Sequence, residues 1–120
     1  MRFLIIDDSS LDAHALASFL EMFGHQVDCC ESPIDALDTI EHGNYDTVFL
    51  DVVMPDQDGY KFLRTLRLNP ATTDRYVVLC SNKNSTLEIN YGIKRAGAND
   101  YLPKPVSRES VEKILEKIPA

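Results

Sequence analysis

Residues 2–12 read RFLIIDDSSLD. Four apolar residues, Phe3 to Ile6, run directly into two adjacent acids, Asp7 and Asp8. A short unbroken apolar run suits a parallel strand covered on both faces. Carboxylates rarely sit in such surroundings without a partner, so the pair at the strand's end asks for a reason. Similar runs recur along the chain: QVDCC (26–30), DTVFLD (46–51), YVVLCS (76–81) and DYLPK (100–104). Together with RFLII (2–6) they predict five strands, rich in Val, Ile, Leu, Phe and Tyr.

Helical patterns fill the intervals. Residues 10–23 carry Leu11, Ala15, Phe19 and Phe23 at i, i+4 spacing, with Leu16 and Leu20 alongside, and Gly24 fits a position just past a helix end. SPID (32–35) predicts a helix start, with Ser32 as N-cap, Pro33 as first helical residue and Asp35 in the first turn; Ile34, Leu37 and Ile40 would face inward. Residues 58–68 carry Tyr60, Phe62, Leu63 and Leu66. STLE (85–88) is a capping box whose helix should stop near Gly97. Ser107 caps a last helix, with Val106 stapled onto Val111 and an inner face of Val111, Ile114, Leu115 and Ile118. Strand and helix thus alternate five times. Right-handed crossovers between parallel strands give an α/β, flavodoxin-like (βα)5 three-layer sandwich, with a five-stranded parallel sheet in the order 2-1-3-4-5. Residues 1–120 are expected to form one domain.

Composition narrows the function classes. A net charge of −7 repels DNA phosphates and anionic lipid, so direct nucleic-acid or membrane binding is not expected. No apolar run nears the roughly 20 residues of a membrane span. The first segment is no signal peptide, because its apolar run is short and ends in acids; the expected location is the cytoplasm. Cys29, Cys30 and Cys80 read as thiols used as small hydrophobes. His14, His25 and His42 have no metal-ligand spacing and read as structural.

In a sheet of this order, ligands bind beyond the carboxyl ends of the strands, where the order reverses. That edge collects Asp7 and Asp8 from the first strand, Asp51 from the third, Ser81 from the fourth and Lys104 from the fifth. Any one of the acids alone would read as a helix N-cap, and Lys104 alone as a solvated surface charge. Three carboxylates together call for a raised pKa or a bound cation. Hard oxygen ligands suit Mg²⁺, with Mn²⁺ as the alternative. Mg²⁺, an ammonium and a hydroxyl are the positioning and charge-neutralising parts that phosphoryl transfer uses, and a carboxylate can itself be the nucleophile.

These stretches, LIIDDS, VFLDVVMPDQDGYKFL, VVLCS and GANDYLPKPV, resemble the receiver domain of two-component response regulators, the CheY-like family, across the whole chain. D-x-x-M-P-x-x-D-G followed by a distant K-P is a specific combination. The resemblance implies that Asp51 is the phosphoacceptor, that Asp8 ligates Mg²⁺ directly and Asp7 mostly through water, and that the Val53 backbone carbonyl is a further ligand. It implies that Ser81 bonds a phosphoryl oxygen, that Lys104 pairs with the phosphoryl group, and that Tyr101 is an aromatic switch. Pro105 would follow a cis peptide bond, Pro55 and Gly59 would shape the loop after Asp51, and Asp56 and Asp58 would be loop and capping residues. The interval from Ser81 to Tyr101, 101 − 81 = 20 residues, is one longer than the commonest spacing, so the SNKNS loop (81–85) would be shaped differently. Asn82 stands where many members have Ala, and Val53 and Lys83 flank the site at variable positions. NPATTDRYVV and YGIKRAGANDYLPKPV are also similar to small regulators of type IV pilus, twitching-motility chemotaxis-like systems.

The implied function is a phosphorylation-controlled switch and not an enzyme, catalysing only its own phosphorylation and dephosphorylation. The implied partners are a sensor histidine kinase or phosphotransfer protein upstream, and a protein target docking on the face of the last two helices and fifth strand. Two other classes compete. A receiver-fold interaction module that works without phosphorylation would have no use for the complete acidic set. An aspartate-nucleophile phosphatase usually shows D-x-D and a cap domain; here Asp51-Val52-Val53 lacks the second acid, and no residues remain for a cap.

Overall fold

A computed structural model describes residues 1–34, 36–54, 58–83 and 85–119. The elements follow the expected alternation: β1 (Arg2–Ile6), α1 (Ser10–Met22), β2 (Gln26–Cys30), α2 (Ala36–His42), β3 (Thr47–Asp51), α3 (Gly59–Leu68), β4 (Tyr76–Ser81), α4 (Thr86–Asn90), β5 (Asp100–Pro103) and α5 (Arg108–Lys117). All strand pairs are parallel, and the order is β2-β1-β3-β4-β5. Successive residues of a strand face opposite sides, so β1 sends Phe3 and Ile5 into one core and Leu4 and Ile6 into the other. The first core holds Leu16, Leu20, Val111 and Ile114 of α1 and α5; the second holds Ile40, Phe62, Leu63 and Leu66 of α2 and α3. β1, β3 and β4 are buried on both faces, as their unbroken apolar runs require. β2 is an edge strand and half exposed.

Caps form where the side chains allow them. Ser9 accepts the Asp12 amide at the start of α1, Asp58 accepts the Tyr60 amide at α3, Ser85 accepts the Glu88 amide at α4, and Ser107 and Ser110 make a reciprocal box at α5. Gly24 and Gly97 follow their helices with φ of 91° and 92°, the left-handed geometry that glycine adopts without a Cβ clash.

Several expectations need correction. Leu11 is 78% exposed, because α1 buries Ala13, Leu16, Ala17 and Leu20 and Leu11 lies roughly half a turn round from that face. Ala15, Phe19 and Phe23 flank the buried face instead of forming it. Ile34 is 72% exposed and precedes α2. The Ser32 hydroxyl accepts the Ile34 amide and the Ala36 amide donates to the Pro33 carbonyl, and α2 begins at Ala36 and not at Pro33; Asp35 lies outside the described residues. Cys80 is buried and Cys30 packs against a core, whereas Cys29 faces solvent on the edge strand. α4 continues into a π-turn over Tyr91–Arg95, where the Ala96 amide bonds the Tyr91 carbonyl five residues back. Asn84, in the loop where the sequence places the difference, lies outside the described residues.

The start of α3 is wedged against the end of β3. The Gly59 amide donates to the Val52 carbonyl at 2.8 Å, and a Cβ on Gly59 would stand 2.3 Å from the Asp51 carbonyl oxygen and 2.8 Å from the Val52 Cα. Backbone cannot move aside as a flexible side chain can. Gly59→Ala should therefore cost about 1–3 kcal/mol, read as a lowered urea midpoint with an unchanged slope.

Candidate functional site

Four elements meet at the carboxyl edge of the sheet. β1 ends one residue before Asp7, whose amide still donates to the Cys30 carbonyl at 3.0 Å and so leaves the sheet in register. Asp7 Oδ1 accepts the Ser9 amide at 2.9 Å, which turns the acid inward. Asp8 is exposed at the mouth. Asp51 is the last residue of β3 and is buried. One carboxylate oxygen from each of Asp7, Asp8 and Asp51 lies within 4.8 Å of the others.

Lys104 follows β5, and its amide donates to the Ser81 carbonyl at 2.9 Å, so the ends of β4 and β5 are tied together. The Lys104–Pro105 peptide is cis. The Lys104 ammonium is 2.8 Å from Asp7 Oδ2, 3.1 Å from Asp12 Oδ2 and 3.2 Å from Asp51 Oδ1. Burial works against its charge, but the Asp7, Asp51 and Asp12 carboxylates outweigh that and hold its pKa above the ordinary lysine range. Burial, with the Asp7 charge behind it, pushes the Asp51 carboxyl up to about 6 from 3.8, although Lys104 pulls the other way. Negative charge is therefore in excess at the site, which is what hard-oxygen coordination of a divalent cation requires.

Ser81 is buried at the end of β4, and its hydroxyl oxygen accepts the Lys83 amide at 2.9 Å. The Tyr101 hydroxyl donates to the carbonyl of the same residue, Lys83, so one short backbone segment touches both side chains. The Tyr101 ring is buried, and Gly92 of the π-turn leaves it room: a Cβ there would be 3.1 Å from two ring carbons. Val53 is exposed and lines an open cleft with Asp8, Asp51, Ser81, Asn82 and Lys104. Pro105 is exposed beyond the cis bond, and Gly59 supports the Asp51 backbone as described above. Pro55 and Asp56 lie outside the described residues, and Asp58 is a cap. The histidines stay away from the cluster: His25 meets the N-terminal amine and packs on Phe3, and His42 pairs with Asp38.

The sequence brings Asp7, Asp8, Asp51, Ser81 and Lys104 to one edge, and the structure places them there. It adds Asp12. An acid in the first turn of a helix is ordinary, so nothing in its immediate sequence separates it from a helix-start preference. The available signal is spacing: Asp12 stands one helical turn beyond Asp8 and can look back over the same strand ends.

A family model, the response regulator receiver domain, matches residues 3–116. The chain belongs to the response regulator receiver family. Its fold and its acidic edge are those of a receiver in two-component signal transduction, as the sequence motifs imply. Protein PilH of Pseudomonas aeruginosa is 34% identical over 117 residues, covering 98% of this chain and 96% of PilH. Response regulator MprA of Mycobacterium sp. (strain KMS) is 34% identical over 111 residues, 92% of this chain but only 47% of MprA. The chain thus spans almost all of one curated relative and about half of another. A response-regulator structure from Chloroflexus aurantiacus aligns with a TM-score of 0.89 at 29% identity, over 98% of this receiver and 95% of that chain. Chemotaxis protein CheY4 of Vibrio cholerae shares the fold, with a TM-score of 0.87 at 24% identity over 98% of each chain. No helix among the described residues of the receiver is long and apolar enough to cross a membrane.

The raised Asp51 pKa makes a prediction with a definite sign. An acid whose folded pKa lies above its unfolded value destabilises the fold once the pH exceeds the folded value, here about 6, and ceases to do so below the unfolded value, 3.8. Asp51→Asn should therefore be more stable than the wild type at pH 8 without divalent cations, by about 3 kcal/mol. The gap should close as pH falls from about 6 to 4, read by urea denaturation at each pH.

Proposed function

We propose that the receiver accepts a phosphoryl group on Asp51 from the phosphohistidine of a sensor histidine kinase or phosphotransfer protein. The observation that carries this reading is the shared ammonium: Lys104 reaches Asp51 Oδ1 at 3.2 Å while Asp7 and Asp12 hold it in place. In the transfer, the phosphorus–nitrogen bond of the donor breaks as an Asp51 carboxylate oxygen bonds to phosphorus, and the histidine nitrogen keeps the electron pair. Asp51 supplies the nucleophilic oxygen, Lys104 faces the incoming negative charge, and Ser81 stands at the cleft to donate to a phosphoryl oxygen. Asp8, Asp51 and the Val53 carbonyl would hold Mg²⁺, or Mn²⁺, with Asp7 reaching it through water. Bound there, the ion would neutralise charge that builds on the phosphoryl oxygens. The close set of three carboxylates and the excess of negative charge support that fit.

The output follows from the Lys83 segment. A hydroxyl drawn toward a phosphoryl group would take Ser81 from the Lys83 amide, and the Tyr101 hydroxyl holds the other side of the same residue. The switch would thereby reach α4, β5 and α5, the face proposed to bind a downstream protein. This is a shift between two packings of one fold. In this reading residues 1–120 work as one receiver domain in the cytoplasm, with no direct nucleic-acid or membrane contact and no reaction other than its own phosphorylation and dephosphorylation. The likeness to PilH supports a place among chemotaxis-like regulators of the pilus type.

Acetyl phosphate with Mg²⁺ should add one phosphoryl unit, read by intact mass, and a chelator should prevent it. Asp51→Asn should gain none; a gain in that variant would remove Asp51 from the acceptor role. Asp8→Ala should fold normally but lose most of its Mg²⁺ affinity by calorimetry.

A further inference from the structure

Asp12 is outside the set that the family motifs assign, yet it holds the same ammonium. A lysine ammonium has three N–H donors and no more. In this receiver Asp7, Asp12 and Asp51 occupy all three, at 2.8, 3.1 and 3.2 Å. On the reading that Asp51 is phosphorylated, which this inference rests on, a phosphoryl oxygen must take a donor from one of those carboxylates.

The three are not equally replaceable. Asp7 is buried and fastened through its other oxygen to the Ser9 amide, so releasing it would leave a buried carboxylate without its ammonium. Asp51 is the residue that reacts. The Asp12 side chain is 43% exposed, so water can take over its solvation, whereas the Lys104 side chain is only 9% exposed. Asp12 also lines, with Asp51, both the open cleft and a smaller cavity walled by Phe49 and Leu16. We propose that Asp12 is a positioning residue that competes with the phosphoryl group for Lys104, drawing the ammonium toward α1 before phosphorylation and yielding it afterwards. No covalent bond changes in this exchange; one N–H···O contact is traded for another. Asp12 thereby weakens the hold of the site on a phosphoryl group.

The test uses beryllofluoride with Mg²⁺, a non-covalent mimic of the phosphoryl group, titrated by calorimetry into the wild type, Asp12→Ala, Asp12→Asn, Lys104→Ala and the Asp12→Ala/Lys104→Ala double variant. Asp12→Ala should bind about threefold more tightly than the wild type, the size expected for a half-exposed ion pair. Asp12→Asn keeps a neutral acceptor and should fall between them. The gain should vanish when Lys104 is already alanine, because its origin is competition for that ammonium. Labelling rates with acetyl phosphate, read by intact mass in the same proteins, complete the cycle where an affinity is too weak to titrate. Unchanged binding in Asp12→Ala overturns the proposal. So does a gain of equal size in the Lys104→Ala background, which would be a general field effect of one charge fewer. A wild type that neither binds beryllofluoride nor is labelled by acetyl phosphate removes the phosphoacceptor reading, and this inference with it.

Discussion

One buried ammonium surrounded by more carboxylate than it can neutralise is the constraint on which this receiver is organised. Lys104 meets Asp7, Asp12 and Asp51, and Asp8 stands beside them. In the low dielectric of a sheet edge, such an imbalance is costly, and the raised Asp51 pKa expresses that cost. Natural folds tolerate this kind of conflict at functional sites because the rest of the structure over-determines the geometry.

Here the over-determination comes from the sheet. β1 and β3 lie side by side with both faces buried, so the acids at their carboxyl ends have no freedom to drift apart. β4 and β5 are joined next to them, and the Lys104 amide is bonded to the Ser81 carbonyl. Two cores, one on each side of the sheet, hold this edge from behind. Two glycines matter through what they lack. Gly59 lets α3 start against the Asp51 backbone, and Gly92 makes room for the Tyr101 ring. The π-turn that carries Gly92 uses one residue more than an α-turn.

A short relay runs from the acidic edge to α4. Ser81 and Tyr101 both hold the Lys83 backbone, the Tyr60 hydroxyl bonds Glu88 of α4, and the Tyr60 ring packs edge-on against Tyr91 at 4.9 Å. These contacts join an electrostatic site to a packed surface with few intermediates. In the proposed switch, they are the contacts through which a change of charge at Asp51 would be felt at the helix face.

The strands, their order and five residues of the acidic edge were legible in the sequence. Unbroken apolar runs allow little but buried parallel strands, and a parallel sheet sends every strand's following residues to one edge. Tertiary structure decided how the helices turn and which further side chain enters the site. Leu11 and Ile34 have apolar character suited to a core, but cap geometry and the turn at Ser32 leave them in solvent. A sequence records that a residue is apolar, while burial depends on the rotation of a helix about its axis, which packing against the sheet sets. Asp12 shows the same limit for chemistry. Its partner Lys104 is 92 residues away in the chain, and only the parallel sheet, which brings the ends of β1 and β5 to one edge with α1 beside them, sets the two charges 3.1 Å apart.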